Sequence, residues 1–250
     1  MHRDNSYAGL RVAVISCFQA TGESGGAERL YHALIEALID QGCNAQLLKV
    51  SGDESTFEQI LDNYAYCNNL DLSEFDLVIS TKAPTYAIQH HRHVLWLVHT
   101  TRVFYDMFEK SFPSADKHRK QQRKQIQEID TELIKRIPAR FTIGHEVSNR
   151  LARYNDIESE VLHPPLGSNE FREGTTGDYF FIPGRLHPWK RLDLLITAVK
   201  LSSMPLKLVI AGVGEAEAEL KTLAGDDTRI QFLGRITDKE LVDLYSSSLA

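Results

Sequence analysis

The sequence has little cysteine and no close cysteine pair. Its three cysteines, Cys17, Cys43 and Cys67, lie far apart, and no CxxC motif occurs. A disulfide framework and a cysteine-ligated zinc site are therefore not predicted, and free thiols are typical of a reducing compartment. We accordingly expect a cytoplasmic protein.

Long hydrophobic runs and an excess of positive charge are also lacking. The apolar segment LRVAVISCF, residues 10–18, is too short to cross a bilayer and leads into a glycine-rich loop, not into the cleavage site of a signal peptide. The chain has 28 Lys and Arg against 34 Asp and Glu, a formal net charge of -6. Nucleic-acid binding over a broad surface is not expected, so a bound anion must be held by a local basic group.

What the sequence does contain is an alternation of short apolar runs and amphipathic segments. This alternation is typical of βαβ units with a parallel sheet covered by helices, so the predicted fold class is α/β. The predicted strands are residues 10–18, 44–50, 75–80, 93–98, 140–143, 160–163, 179–182, 206–212 and 229–234. Predicted helices cover residues 27–42, 190–201 and 215–225, and a long helix begins at residue 117.

A polar break divides this alternation. Pro164 and Pro165 are followed by a segment rich in Gly and polar residues, after which a second sheet begins near Asp178. We predict a first domain at 1–165, a linker at 166–177 and a second domain at 178–250. Since three strands form a small sheet with an unpaired edge, we expect the second domain to be incomplete and the chain to belong to a longer protein.

The segment FIPGRLHPWKR, residues 181–191, concentrates basic side chains after a predicted strand. In an open α/β sheet, ligands bind beyond the carboxyl ends of the strands, where helix N-termini also point. Arg185 and Lys190, at the start of the next predicted helix, suit a diphosphate. A surface ion pair is the alternative for each, and we expect it for Arg191, with Asp193 or Asp227 as partner.

Two further candidates lie at predicted strand ends. The loop TGESGGAER, residues 21–29, contains Gly25 and Gly26, whose N–H groups could receive a phosphate or a substrate hydroxyl. It has neither GxGxxG nor GxxxxGK[ST] spacing, which argues against a dinucleotide dehydrogenase and a P-loop NTPase. His99 ends the strand HVLWLV and could hydrogen-bond a sugar, although a histidine satisfied within the fold is the commoner case.

The long helix begins with the basic segment KHRKQQRK, residues 117–124. A solvated helix face is the ordinary interpretation, and contact with anionic headgroups or a phosphorylated lipid acceptor is the functional one. The nearby HHRH segment, residues 90–93, has no recognised ligand spacing, so we predict no metal site. The basic residues assigned to the outward face are Lys117, Arg119, Lys120, Arg123 and Lys124.

With these motifs in view, the chain resembles glycosyltransferase family 4, retaining nucleotide-sugar enzymes whose two facing Rossmann-like domains form the GT-B fold. The resemblance extends over the whole chain. Its most specific motif is GRLHPWKR, and GGAER is the next most specific. The motifs in family order are GGAERL, VLWLVHTTRVFYD, EVLHPPL, FIPGRLHPWKRLDLLITAV, LVIAGVGE and IQFLGRITDKELVDLYSSSLA. The resemblance implies the GT-B fold.

It also implies how the donor is held. Arg185 and Lys190 match the pair that grips the donor diphosphate, and the backbone around Arg235 and Ile236 resembles the segment that meets the nucleotide base. The implied substrates are a UDP- or GDP-sugar and a glycan or glycolipid acceptor, with no cofactor and no metal required.

For the first domain, Gly25 and Gly26 match the loop that closes over donor phosphate and acceptor, and His99 matches the histidine that reaches the transferred sugar. In the family, the second domain continues past LYSSSLA into a loop with two glutamates that hold the donor. Because this chain ends before them, two alternatives stay open: a non-catalytic nucleotide- or glycan-binding fragment, and a sugar-nucleotide epimerase of the same fold.

Overall fold

The structure is a computed structural model that describes residues 7–18, 26–166 and 170–250. The chain divides into two compact units, residues 1–167 and 168–250. Each unit contains its own sheet, and all the strand pairs in both sheets are parallel. The predicted α/β class is confirmed.

The first unit contains a six-stranded sheet in the order β2-β1-β3-β4-β5-β6. This doubly wound order reverses direction between β1 and β3, and such a switch point opens a crevice beyond the carboxyl ends of the strands. Val12, Ala13, Val14 and Ile15 in β1 have no solvent exposure, which explains the unbroken apolar run. The strands are β1 (Arg11–Phe18), β2 (Asn44–Ser51), β3 (Leu77–Lys82), β4 (His93–His99), β5 (Ala139–Thr142) and β6 (Glu160–Val161).

Helices cover both faces of this sheet. The predicted stripe of Leu30, Leu34 and Leu38 on α1 packs against one face, while α2, α4 and α5 pack on the other. Helix α1 ends at Asp40, and Gly42 has a positive φ of 87°, typical of a residue just beyond a helix. The helices are α1 (Gly26–Asp40), α2 (Phe57–Asn68), α3 (Phe108–Ser111), α4 (Lys117–Lys135) and α5 (His145–Asn155).

The second unit contains a three-stranded sheet in the order β7-β8-β9. One face packs against α6 and α7 through a core that includes Leu192 and Ile196, and α8 covers the other face. The elements are β7 (Tyr179–Pro183), α6 (Leu192–Leu201), β8 (Lys207–Ala211), α7 (Glu217–Ala224), β9 (Ile230–Gly234) and α8 (Asp238–Ser246). Within the described ranges, no helix is both long and apolar enough to cross a membrane.

The outer edge of β7 is covered by the last residues of the chain. The Phe181 N–H donates to the Ala250 carbonyl at 2.9 Å, and the Leu249 N–H donates to the Tyr179 carbonyl at 2.8 Å. These bonds satisfy backbone groups that an open edge would leave to water. The expected unpaired edge of this sheet is therefore at β9, whose strand neighbour among the described residues is β8 alone.

Candidate functional site

The carboxyl edge of the second sheet is formed by three closely packed loops. The Gly184 N–H donates to the Ala211 carbonyl at 2.8 Å, and the Gly212 N–H donates to the Gly234 carbonyl at 2.6 Å. Gly212 has φ 131°, and a Cβ there would lie 1.9 Å from the Gly184 oxygen. Only glycine fits at residue 212, and this contact fixes the first loop, which carries Arg185, against the second.

The segment after Gly184 forms a tight turn before α6 begins. Pro188–Lys190 is a 3₁₀ turn, and the His187 ring accepts a hydrogen bond from the Trp189 N–H at 3.1 Å. Arg191 has a left-handed φ of 54°, so α6 starts only at Leu192. The prediction that Lys190 and Arg191 open the helix is wrong, because the left-handed residue separates the capped turn from the helix.

Arg185 lies in the first loop of this edge and forms an ion pair across to the second. Its Nη2 lies 3.2 Å from Glu215 Oε2, and the His187 Nε2 lies 3.1 Å from Glu215 Oε1. Both Arg185 and Glu215 side chains are 54% exposed. Glu215 therefore positions two neighbouring side chains of the predicted diphosphate segment.

The sequence reasoning did not identify Glu215 or His187 as site residues. A signal for Glu215 was present, since it follows the strand LVIAG through a glycine turn, as Arg185 follows its own strand. Neighbouring parallel strands end at the same edge, and this rule would have placed Glu215 beside Arg185.

Two other basic side chains lie at this edge. Lys190 and Arg235 are exposed, and neither has a carboxylate partner within the described part of the chain. Arg191 instead pairs with Asp193 through two contacts of 3.1 Å, which confirms the expected surface ion pair. Around Arg185 and Lys190 the edge therefore has two basic side chains against the one carboxylate of Glu215, an arrangement that attracts an anion.

Arg235 and Ile236 line a cavity of about 470 Å³ beneath α8. Its walls combine apolar and charged groups, and the Tyr179 hydroxyl in the wall donates to the Leu244 carbonyl at 2.8 Å. The volume is within the range of small-ligand sites. Neither Arg185 nor Lys190 lines this cavity, so the structure places the predicted base-binding pair and the predicted diphosphate pair in separate surroundings.

His99 ends β4 at the carboxyl edge of the first sheet, in register with Lys82 on β3. Burial lowers the pKa of the His99 imidazole, and a hydrogen bond to the Thr100 backbone opposes this shift. The positive charges of Lys82, Arg102 and Arg150 lower the pKa further. The ring is neutral at pH 7, and its Nδ1 lies 2.9 Å from the Thr100 carbonyl. If Nδ1 carries the proton, Nε2 can accept a hydrogen bond from a ligand hydroxyl.

The glycine loop of the first unit is described only from Gly26 onward. Gly26 is the first residue of α1, so its backbone lies at a helix N-terminus that follows β1, next to the switch point. Gly25 lies outside the described residues. The predicted role of this pair stays a prediction.

The basic start of α4 does not present all five cations to solvent. The Arg119 guanidinium stacks 4.6 Å above the Phe112 ring, and that of Arg123 stacks 4.5 Å above the Phe108 ring. Both arginines are partly buried, so their assignment to the outward face is wrong. Of the five basic residues in this segment, Lys117, Lys120 and Lys124 are exposed.

The neighbouring histidines have contacts within the fold. The two ring nitrogens of His90 lie within 3.1 Å of the Arg92 and Phe75 carbonyls, and His93 Nε2 lies 2.8 Å from Ser80 Oγ. Burial lowers the pKa of His93 to about 4. No group of three His, Cys, Asp or Glu side chains suited to a metal ion occurs in the ranges that the structure describes.

Comparison with known families gives a match for the second unit. Residues 168–250 match the family model described as Glycosyl transferases group 1. These residues are the unit that carries Arg185, Lys190 and Arg235. No curated protein matches the chain.

Solved structures similar to this fold are GT-B glycosyltransferases. Sucrose-phosphate synthase from Thermosynechococcus elongatus has a TM-score of 0.63 at 15% identity, covering 96% of this chain and 74% of its own. WaaG, a glycosyltransferase of lipopolysaccharide biosynthesis, has a TM-score of 0.63 at 13% identity, covering 95% and 73%. Anabaena Alr3699/HepE in complex with UDP and glucose has a TM-score of 0.57 at 11% identity, covering 95% and 72%. These similarities confirm the predicted fold class.

Proposed function

We propose that this chain is a retaining, family 4 type glycosyltransferase that transfers a sugar from a UDP- or GDP-activated donor to a glycan or glycolipid. The observation that carries the proposal is the location of Arg185 and Lys190 at the carboxyl edge of the unit matched by the glycosyltransferase family model. HepE, similar in fold, was crystallised with UDP-glucose, and WaaG acts in lipopolysaccharide biosynthesis. We place the reaction in the cytoplasm, in cell-surface polysaccharide synthesis.

In the proposed mechanism, the bond between the anomeric carbon and the diphosphate oxygen breaks first, through an oxocarbenium-like transition state. Arg185 and Lys190 stabilise the negative charge that builds on the departing diphosphate. The acceptor hydroxyl oxygen then bonds to the anomeric carbon from the same face, and its proton passes to a phosphate oxygen of the leaving group. Neutral His99 accepts a hydrogen bond from a hydroxyl of the transferred sugar.

The experiment that tests this proposal is calorimetric titration of the 250-residue chain with UDP and with GDP. We expect one nucleotide to bind and the double variant Arg185→Ala, Lys190→Ala to lose that binding, because each charge-assisted contact contributes about 1.5–3 kcal/mol. The matched control is Arg136→Ala, Lys207→Ala. It removes the same two residue types from exposed ion pairs with Glu132 and Asp178.

Unchanged affinity in the first double variant would refute a diphosphate site at this edge. Measurement of sugar-nucleotide turnover, with and without an acceptor, then distinguishes the three candidate functions. A glycosyltransferase consumes a UDP- or GDP-sugar with an acceptor, an epimerase forms the epimer without one, and a binding fragment retains the nucleotide without turnover.

A further inference from the structure

The first unit contains a groove of about 1040 Å³ that is lined by none of the residues predicted to bind the donor or the transferred sugar. It lies between residues 51–58, which run from the end of β2 into α2, and the first turns of α4, with the turn at Arg102–Phe104 below. Its walls include Asp53, Phe57, Glu58, Phe104, Phe112 and Gln122. All of these residues belong to one unit and to the described part of the chain.

Three aromatic rings line the groove in sequence. The Phe57 and Phe104 ring centroids are 6.0 Å apart, and those of Phe104 and Phe112 are 6.5 Å apart. Phe104 is buried, while Phe57 and Phe112 keep part of their surface exposed. An exposed aromatic surface beside polar groups suits a ligand with one apolar face and several hydroxyls, as a sugar ring has.

Gln122 supplies an unused hydrogen-bond acceptor. Its side chain lines the groove and is 6% exposed, and its Oε1 has no partner among the residues that the structure describes. Its Nε2 lies 3.1 Å from the His118 Nε2. A buried acceptor without a partner is unfavourable, and a ligand hydroxyl would satisfy it.

Charge in the groove is predominantly negative. Asp53, Glu54 and Glu58 contribute carboxylates, and Arg119 is the one basic residue among its lining residues, with its guanidinium stacked on Phe112. Carboxylates accept hydrogen bonds from hydroxyls, but they repel phosphate groups. The lining therefore favours an uncharged polyhydroxylated ligand over a phosphorylated one.

We propose that this groove binds an uncharged sugar ring of the acceptor glycan. The inference rests on the proposed function, and it narrows the acceptor there to a glycan with an uncharged ring and disfavours a phosphorylated lipid. Phe57 and Phe112 pack against the ring, the Gln122 Oε1 accepts from one of its hydroxyls, and the carboxylates accept from others.

Saturation-transfer NMR on the 250-residue chain tests this proposal. The probes are the methyl glycosides of glucose, galactose and mannose, with glucose 6-phosphate as the anionic comparison. We expect saturation transfer from the protein to at least one methyl glycoside and little saturation transfer to glucose 6-phosphate. In Gln122→Met the Kd should rise about tenfold, the effect of losing one buried hydrogen bond. The control Gln121→Met makes the same change at the adjacent, exposed residue and should bind normally.

Thermal unfolding separates binding from folding. Because Gln122→Met removes an unsatisfied buried acceptor, its Tm should be no lower than that of Gln121→Met. A second variant, Glu58→Lys on the exposed wall, should bring transfer to glucose 6-phosphate close to that of the methyl glycoside. The proposal is overturned by absent transfer to all three methyl glycosides, by stronger binding of the phosphate to the unaltered chain, by normal binding in Gln122→Met, or by an unchanged preference in Glu58→Lys.

Different results would refute the groove assignment and the proposed transferase function. Titration with UDP and GDP should be unaffected by Gln122→Met, because Gln122 lies outside the unit that carries Arg185 and Lys190. Loss of methyl glycoside binding with nucleotide binding retained would support the groove assignment. Methyl glycoside binding without any nucleotide binding would refute the proposed transferase and leave the groove as a sugar site.

Discussion

Asp130 on α4 is a fully buried carboxylate surrounded by tyrosines. The Tyr64 hydroxyl donates to one carboxylate oxygen and the Tyr105 hydroxyl donates to the other at 2.5 Å, while the Tyr86 hydroxyl lies 3.2 Å from that of Tyr64. No basic side chain pairs with Asp130 in the described ranges. Burial raises the pKa of Asp130 to about 6, although the tyrosine hydrogen bonds oppose the shift.

This shift predicts a definite dependence of stability on pH. The ordinary pKa of 3.8 is the value expected in the unfolded chain, so the folded protein retains the Asp130 proton between about pH 4 and 6 after the unfolded chain has lost it. Stability from this group is present below pH 4 and is lost as the pH rises through 6. A shift of about two pKa units lowers the free energy of unfolding by about 3 kcal/mol over this pH range.

The assay is urea unfolding of Asp130→Asn and the parent chain between pH 3.5 and 7.5. Both should carry Trp189→Phe, since Trp189 is exposed in the second unit and Trp96, which is 3% exposed, then reports on the first. As the pH rises across this range, we expect the free energy of unfolding of the parent to fall by about 3 kcal/mol relative to that of Asp130→Asn. The exposed Asp62→Asn serves as a matched control. A difference between parent and Asp130→Asn that does not vary with pH would refute the reasoning.

Three further predictions concern other elements. Gly212→Ala should destabilise the second unit by on the order of 3 kcal/mol, because its Cβ meets a loop carbonyl, and calorimetric unfolding would test this. Thr237→Ala should cost about 1 kcal/mol in urea unfolding, since it removes the capping box at the start of α8, and an unchanged midpoint would contradict it. If Lys117, Lys120 and Lys124 contact anionic lipid, the chain should float with phosphatidylserine vesicles at low salt and not at high salt, whereas their triple Ala variant should not float.

Hydrophobic patterning was sufficient to predict the strands. Each of the nine predicted segments overlaps an observed strand, because fully buried parallel strands require continuous apolar runs such as Val12 to Ile15. The weakest overlap is β6, which covers only Glu160–Val161 of the predicted 160–163. Sequence alternation therefore predicted the α/β class and the strands along the chain.

Helices α2, α3, α5 and α8 were not predicted. On α5 the buried positions include Arg150 and Asn155, so its inward face does not read as apolar in the sequence. Asn155 is held there by a 2.7 Å hydrogen bond to Thr131, a contact between distant segments. For α8 a local signal was available, since Thr237 and Glu240 have the spacing of a capping box.

The candidate site was only partly predictable. The rule that ligands meet the carboxyl ends of parallel strands located Arg185, but the rule does not show which neighbouring side chain fixes its guanidinium. The same limit applies to α4, where Arg119 and Arg123 stack on aromatic rings contributed by the preceding segment. Charge spacing on a helix cannot distinguish a solvated arginine from one that covers an aromatic ring.

The pairing of Arg185 with Glu215 is compatible with a diphosphate site because the two interactions differ in strength. An exposed ion pair of this kind contributes about 0.2–1 kcal/mol, whereas a charge-assisted hydrogen bond to a phosphate contributes about 1.5–3 kcal/mol. An arriving diphosphate can therefore displace Glu215 from the guanidinium. Before it arrives, Glu215 holds Arg185 and His187 at the edge of the sheet, and this reduces the conformational entropy that binding must remove.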